Sequence, residues 1–204
     1  MKQEEIQLAF EQSQSVFASG ATRAYGDRIH MLTALEAGIR KHEEKLIRAL
    51  KSDLNKSPHE AFITELSLVY GELKHVKGQL RRWMKPKRVL PSIAQLPSSV
   101  RVLPEPYGVC LIMSPWNYPI LLTLSPLIGA IAAGNTCLLK PSAYSPATSA
   151  AIAAIISDSL PKGVCNVIEG GRKENESLLD LPFDCIFFTG SPTVGRLVME
   201  KASK

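Results

Sequence analysis

The sequence Val109-Cys110-Leu111-Ile112-Met113-Ser114-Pro115-Trp116-Asn117-Tyr118-Pro119 joins a continuous apolar run to a turn that contains two prolines. A short apolar run that ends at turn residues is typical of a strand buried on both faces. Proline fixes φ and resists continuation of a helix or strand, so Asn117 is held in a stiff turn. The stretch predicts a buried strand that presents an amide side chain at its carboxyl end.

The same pattern continues along the rest of the chain. Strand-like and helix-like segments alternate from residue 107 onward, which indicates βαβ units and a parallel sheet. We therefore predict a Rossmann-like layer over residues 107–204. The predicted strands are 109–113, 136–140, 164–168 and 185–188, and the predicted helices are 119–133, 145–160, 173–179 and a last one from about 192.

Residues 1–84 have a helical pattern. Ser57-Pro58-His59-Glu60 matches a capping box with proline at the first helical position. Apolar residues recur at steps of three and four over 62–83, and similarly over 29–54, as in amphipathic helices. We expect these helices to pack on the sheet and find no catalytic constellation among them. The stripe over 62–83 comprises Phe62, Ile63, Leu66, Val69, Tyr70, Leu73, Val76, Leu80 and Trp83.

Residues 85–106 differ in composition from the regions on either side. They are rich in proline and contain short β-branched stretches such as Val100-Arg101-Val102. Proline is tolerated at sheet margins, so this connector is predicted to hold an edge strand or a hairpin. The fold class is therefore α/β: an N-terminal helical region (1–84), the connector, and a Rossmann-like parallel βαβ layer that is incomplete at its C-terminus.

Composition limits the classes of protein to consider. With 45% hydrophobic and 21% charged residues and a formal net charge of +5, the chain resembles an ordinary globular protein. We find no secretory signal, and the longest apolar stretch, 120–133, is too short to span a bilayer, so we expect a soluble cytoplasmic protein. The basic cluster at 81–88 fits a solvated helix end better than a nucleic-acid site, because no nucleic-acid-binding motif accompanies it.

The cysteines and histidines predict no metal site. The cysteines form no C-x-x-C pair and lie in or beside apolar runs, so we interpret them as small buried hydrophobes in a reducing compartment. They are Cys110, Cys137, Cys165 and Cys185. The histidines of the helical region fall on charged faces, where we expect solvation; they are His42, His59 and His75.

Three polar motifs lie where predicted strands end. Asn117 follows the first strand, Lys140-Pro141-Ser142 ends the second, and Thr189-Gly190-Ser191-Pro192-Thr193-Val194-Gly195 follows the fourth. The carboxyl ends of parallel strands share one edge, and open α/β folds bind ligands there. We therefore expect the three motifs to meet in one crevice.

Two of these motifs have both a functional and a structural interpretation. The Asn117 amide can stabilise a developing oxyanion, as preorganised donors do in acyl-transfer sites, or it can cap the following helix. Lys140, held by the next proline, can hydrogen-bond a ribose hydroxyl or a phosphate, or it can be a solvated surface lysine. Its place at the crevice edge favours contact with a ligand.

The third motif suits an anion. Ser191 can cap a helix, Pro192 suits the first turn, and Gly190 permits close backbone approach. The free N–H groups at that helix start form a site for a pyrophosphate. G-x-x-x-x-G alone is a weak signal, and Arg196-Leu197 replaces the Lys-Ser/Thr of a Walker loop, which argues against an NTPase. The G-x-G-x-x-G fingerprint is also missing.

Five short motifs occur together in the second half of the chain. They are Pro106-Tyr107-Gly108-Val109, Pro115-Trp116-Asn117-Tyr118-Pro119, Ala132-Ala133-Gly134-Asn135, Leu139-Lys140-Pro141-Ser142 and Phe188-Thr189-Gly190-Ser191. In this order they closely resemble the aldehyde dehydrogenase superfamily, and the Trp-Asn-Tyr-Pro form is most similar to its class 3 branch. The resemblance covers essentially the whole chain.

The resemblance implies oxidation of an aldehyde to a carboxylate with NAD or NADP as cofactor. In that family a cysteine thiolate attacks the aldehyde, hydride passes to nicotinamide, and a water activated by glutamate hydrolyses the thioester. It also implies a small-molecule aldehyde substrate and, for the full-length protein, a homo-oligomer such as a dimer. No nucleic-acid partner or membrane segment is implied.

The resemblance also implies roles for particular residues. Asn117 matches the family's catalytic oxyanion asparagine, and Lys140 matches the lysine that contacts the adenosine ribose. Trp116 lies in the stretch that flanks the cofactor. The positions that match the loop beside the pyrophosphate are Gly190, Ser191 and Gly195.

Two features depart from the family pattern. Ala143 stands where the family usually has an acidic residue that favours NAD by opposing a 2′-phosphate, so we predict tolerance of NADP. The catalytic cysteine and glutamate motifs are expected after residue 204, and none of the cysteines present matches the nucleophile. We expect 1–204 alone to be inactive and poorly stable. The alternative is a truncated or split, non-catalytic nucleotide-binding module.

Overall fold

The computed structural model describes residues 3–203 as helices around a central parallel sheet. The helices are α1 (Gln3–Ala18), α2 (Tyr25–Lys41), α3 (Glu43–Leu54), α4 (Pro58–Ala61), α5 (Ser67–Trp83), α6 (Pro119–Ala133), α7 (Pro146–Ser159), α8 (Arg172–Leu179) and α9 (Pro192–Ala202). The strands are β1 (Lys87–Val89), β2 (Val100–Val102), β3 (Val109–Met113), β4 (Thr136–Lys140), β5 (Cys165–Val167) and β6 (Cys185–Phe188). The predicted α/β alternation is confirmed.

The central sheet has the strand order β5-β4-β3-β6, and all its neighbouring pairs are parallel. Every residue of β3 and β4 is buried, as the continuous apolar runs predict. Only β5 is shorter than expected, since it covers Cys165–Val167 rather than 164–168. The two middle strands are therefore covered by helices on both faces.

Two hydrophobic clusters lie on opposite faces of the sheet. Alternate strand residues such as Ile112 and Leu139 face α6 and α7, and the same cluster continues into α2, α3 and α5. The other strand residues, such as Leu111 and Leu138, pack with α1, α8 and α9. This alternation follows from the period of two along a strand. The N-terminal helices pack on the sheet layer, as predicted.

The four cysteines form a row across the sheet. Cys165 pairs in register with Cys137, Cys137 with Cys110, and Cys110 with Cys185. All are free thiols, and only Cys185 is less than fully buried. Burial raises the pKa of the Cys165 thiol well above its ordinary value. These side chains fill the core, as predicted, and lie away from the carboxyl edge of the sheet.

A π-helical turn between α4 and α5 shifts the phase of the predicted apolar stripe. It covers Phe62–Leu66, and it leaves Phe62 and Ile63 exposed while it buries Glu65 and Leu66. A π turn inserts one residue and rotates all positions before it relative to those after it. The apolar stripe is therefore not buried along its whole length: Phe62 and Ile63 are exposed, and Trp83 is half exposed at the end of α5.

A break at His42 divides the helical pattern predicted over 29–54. His42 has φ −104° and ψ 10°, and it ends α2 and begins α3. Its ring nitrogen Nε2 lies 2.9 Å from the Asp158 carboxylate at the end of α7, and its side chain is only 16% exposed. The expectation that His42 is solvated is therefore wrong, whereas His59 and His75 are exposed.

The connector forms a small separate sheet in which β1 and β2 pair antiparallel. Every residue of both strands is exposed. Their antiparallel pairing corresponds to the hairpin, one of the two alternatives expected for this region. The basic cluster covers the last turn of α5 and the start of β1, and its charged side chains lie on the surface. Within 3–203, we find no helix with the length and apolar character needed to cross a membrane.

Candidate functional site

Strand order places the three polar motifs side by side on one edge of the sheet. β4, β3 and β6 are consecutive neighbours, so the segments that leave their carboxyl ends are adjacent. Two backbone hydrogen bonds join these exits: Ser114 N donates to Lys140 O at 3.2 Å, and Thr189 N donates to Met113 O at 3.0 Å. The shared edge is the one predicted from the parallel topology.

A cleft of about 220 Å³ opens at this edge between the exits of β4, β5 and β6. Its lining includes Lys140 and Val194, from two of the predicted motifs. It also includes residues that sequence reasoning missed, above all Gly170 and Gly171 after β5, which match no motif. The complete lining is Met113, Ser114, Lys140, Pro141, Ser142, Ala143, Tyr144, Gly170, Gly171, Arg172, Asn175, Phe188 and Val194.

Lys140 is the buried cation of this cleft. Lys140 is only 3% exposed, and its Nζ donates to Pro141 O at 2.6 Å. Burial lowers the pKa of the ammonium to about 8, and the carboxylates of Glu174 and Glu169 oppose part of that change. The alternative of a solvated surface lysine is therefore removed. A ligand hydroxyl or phosphate oxygen would give this ammonium a partner in a poorly hydrated position.

Two helices at this edge have carboxylates on their N-termini. Glu65 Oε2 accepts from Ile120 N at 2.8 Å and from Leu121 N at 3.1 Å in the first turn of α6. Asp53 accepts from Ala147 N at 3.2 Å and from Thr148 N at 2.7 Å in the first turn of α7. Since these carboxylates already satisfy the free N–H groups, neither helix start is available to a ligand anion.

The α9 N-terminus is different. The Ser191 hydroxyl accepts from Val194 N at 3.4 Å, as the predicted N-cap, and Pro192 occupies the first position. Among residues 3–203, no carboxylate side chain hydrogen-bonds the first turn of α9. Val194 N is capped by Ser191 and Gly195 N donates to Ser191 O at 2.9 Å, so the Thr193 N–H and the helix dipole are what this start can offer an external anion.

Close packing beside α9 favours glycine at position 190. A Cβ at Gly190 would lie 2.5 Å from the ring of Phe188, which lines the cleft. At Gly195 a Cβ would lie 3.5 Å from the same ring, an ordinary contact. The steric need for glycine is thus strong at the first of the two positions only.

Asn117 and Trp116 lie on the same edge, in the turn between β3 and α6, but they are outside the lining of the cleft. Both are exposed, and Trp116 is 51% exposed. The carboxamide of Asn117 has no hydrogen-bond partner within 3–203. Because Glu65 caps α6, the alternative that Asn117 caps this helix is not what the structure shows.

The helical region contributes to the Asn117 turn, which sequence reasoning missed. Lys56 Nζ donates to Asn117 O at 3.1 Å and to Glu65 Oε1 at 2.7 Å. Lys56 and Glu65 are far from Asn117 in sequence, and neither belongs to a recognisable motif. Within 3–203, no group of three or more His, Cys, Asp or Glu side chains is placed to hold a metal ion.

Comparison with known proteins gives a consistent result. The family model for the aldehyde dehydrogenase family matches residues 1–204. An aldehyde dehydrogenase of Craterostigma plantagineum is 43% identical over 188 residues, which are 92% of this chain and 39% of the relative. Aldehyde dehydrogenase family 3 member B1 of mouse is 41% identical over 194 residues, 95% of this chain and 42% of the relative.

A solved structure shows the same fold. The chain of Staphylococcus aureus AldH in a substrate-bound state superposes with a TM-score of 0.95 at 38% identity, over 97% of this chain and 43% of that one. This chain therefore spans about two fifths of the length of the relatives that it matches. The sequence motifs, the family model and the superposition agree, and the chain belongs to the aldehyde dehydrogenase family.

Proposed function

We propose that this chain provides the nucleotide-binding layer and the oxyanion-binding asparagine of an NAD(P)-dependent aldehyde dehydrogenase. The main support is the cleft at the carboxyl edge, where a buried ammonium and an anion-accepting helix start lie together. The domain division at 84 and 106, the cytoplasmic location and the homo-oligomer remain predictions. So does the small-molecule aldehyde as substrate.

The residues at the cleft fit a dinucleotide. The α9 start, with Gly190, Ser191 and Gly195, would hold a pyrophosphate, because no carboxylate side chain hydrogen-bonds its first turn within 3–203. Lys140 would donate to a ribose hydroxyl or a phosphate, and Trp116 would flank the cofactor. A bound nicotinamide would supply the hydride acceptor for aldehyde oxidation. The chain's own part in that reaction is to bind and orient.

Asn117 would contribute to the chemical step itself. Its side-chain N–H₂ group is exposed and free of protein partners, so it can donate to an oxygen that becomes negatively charged. The turn between Pro115 and Pro119 restricts the backbone that carries it. A donor fixed before the reaction costs no reorganisation when the charge develops.

A non-catalytic role for residues 1–204 alone is the second candidate, and the cysteine row favours it. The cysteines pack in the sheet core, away from the carboxyl edge, so none is placed to attack an aldehyde near Asn117. The chain would then bind nucleotide or pair with a complementary catalytic chain.

NAD(P)H formation from an aldehyde distinguishes the two candidates. We expect none from residues 1–204 alone, and turnover when the chain is continued by, or mixed with, a family catalytic segment. In the active protein, Asn117→Ala and the equal-sized Asn117→Asp should lower kcat by about 10²–10³-fold. Nucleotide affinity serves as the internal control and should stay unchanged. Wild-type kcat in both variants would rule out the oxyanion role.

A further inference from the structure

A buried ion pair lies beneath the turn that carries Asn117. The Nζ of Lys56 and Oε1 of Glu65 are 2.7 Å apart, and the two side chains are 9% and 0% exposed. Burying such a pair is costly unless further hydrogen bonds satisfy both groups. The remaining partners of both groups lie in the segment 117–121.

Lys56 contacts the start of this segment. Its Nζ donates to the Asn117 carbonyl oxygen at 3.1 Å and lies 4.1 Å from the centre of the Tyr118 ring. The ammonium therefore contacts both the peptide unit of Asn117 and the side chain of Tyr118. These contacts leave the Asn117 carboxamide itself free.

Glu65 contacts the end of the segment. Its Oε2 accepts from the backbone N–H groups of Ile120 and Leu121, which open α6. The π-helical turn Phe62–Leu66 directs this carboxylate toward the interior. A regular helix would rotate Glu65 to a different face. Together, Lys56 and Glu65 hold both ends of the Asn117 turn.

We propose that Lys56 and Glu65 are positioning residues for Asn117, which set where its amide meets the developing oxyanion. The proposal rests on the oxyanion role given to Asn117 above. A donor must be held within about 0.5 Å of its productive position, and this exposed side chain gains no support from its own hydrogen bonds. The ion pair provides that support through the backbone.

Asp53→Asn is the matched control. Asp53 caps α7 in the way that Glu65 caps α6, with two backbone N–H partners, but it does not contact the Asn117 turn. A general loss of helix capping would therefore appear in Asp53→Asn as well as in Glu65→Gln. If Glu65 positions Asn117, Glu65→Gln should disturb the Asn117 turn and Asp53→Asn should not.

Amide hydrogen exchange in the active, family-length protein gives the first measurement. Glu65→Gln should speed exchange at Ile120 and Leu121 by about tenfold, because a charge-assisted hydrogen bond to these amides is lost. Lys56→Met should change the signals of Asn117 and Tyr118 but keep Ile120 and Leu121 protected. Equal protection of the 117–121 segment in both variants and wild type would overturn the proposal.

The kinetic measurement uses the chain in an active, family-length protein. Lys56→Met and Glu65→Gln should lower kcat by about 10- to 100-fold with little change in the nucleotide KM, because small misplacements of a catalytic group have effects of this size. Lys56→Arg should recover part of the loss, and Asp53→Asn should keep wild-type kcat.

The outcomes distinguish a failure of the positioning role from a failure of the proposed function. Wild-type kcat in Lys56→Met and Glu65→Gln, or an equal loss in Asp53→Asn, would overturn the positioning role and leave the oxyanion role of Asn117 intact. An inactive wild-type protein would reject the proposed function, and the positioning role with it. If Glu65→Gln does not fold, Lys56→Met decides, since it keeps Glu65 on the α6 amides.

Discussion

Lys140 carries an ammonium whose burial costs stability, and we propose that this charge is kept for a ligand. Its ammonium is buried beside the cleft, and this burial lowers its pKa from 10.5 to about 8. The folded protein therefore holds this charge less well than the unfolded chain does. A ligand oxygen in the cleft would offset part of that penalty.

The pKa of Lys140 predicts a particular dependence of stability on pH. Below about 8 both states are protonated, and burial of the charge destabilises the fold. Between about 8 and 10.5 the unfolded chain binds more protons, so the free energy of unfolding should rise with pH, by on the order of 3 kcal/mol. Urea denaturation of wild type and Lys140→Met tests this. Parallel pH profiles would contradict the prediction.

Ala143 predicts the response to a 2′-phosphate. It lies in the cleft wall close in sequence to Lys140 and provides no negative charge there. Wild type should therefore bind NAD and NADP with affinities that differ by less than about a hundredfold. Ala143→Glu should raise the preference for NAD by about a hundredfold, since like charges brought together cost several kcal/mol. Ala143→Gln is the neutral control of equal size, and calorimetric titration gives the affinities.

At the scale of elements, the start of α9 is capped by Ser191, and we propose that it also binds the nucleotide. Ser191→Ala should cost about 1 kcal/mol of stability through the lost cap and weaken nucleotide binding by about tenfold. Ser57→Ala removes a similar cap, whose oxygen accepts from Glu60 N at 3.1 Å, and Ser57 is not part of the cleft lining. It should lose similar stability and keep its nucleotide affinity. Equal affinities in both variants would exclude α9 from the site.

The crossing of α2 and α7 depends on Gly38. A Cβ there would lie 1.8 Å from Oγ of Ser159, a buried oxygen without a hydrogen-bond partner within 3–203. Gly38→Ala should cost about 1–3 kcal/mol despite the better helix propensity of alanine, and less in a Ser159→Ala background. Gly78→Ala, in α5 with open space around it, should stabilise by up to about 1 kcal/mol. Equal effects at both glycines would contradict this packing account.

The elements that sequence predicts well are those with a local cause. The strands β3 and β4 follow from continuous apolar runs, and the start of α9 follows from Ser191 and Pro192. The π turn at Phe62–Leu66 has no such signal, because the extra residue is favoured only when Glu65 reaches the start of α6. The break at His42 depends likewise on Asp158, a contact between distant parts of the chain.

For the whole molecule, the helical region shapes the site as well as the core. Lys56 and Glu65, both in the helical region, contact the two ends of the turn that carries Asn117. The sequence motifs predicted the edge of the sheet, and of the predicted site residues only Lys140 lines the cleft. They missed Lys56, Glu65 and the glycines after β5, because only the assembled layers bring these groups to the edge.

Residue-resolved binding of NADP to the chain tests the central claim most directly. Amide NMR signals should shift saturably during the titration, with the largest shifts at 140–144, 170–172 and 189–195 and with smaller shifts in Ser191→Ala at the same ligand concentration. This is the result expected if the cleft and the α9 start form one nucleotide site. Absence of saturable binding, or shifts centred on the starts of α6 and α7, would contradict the account.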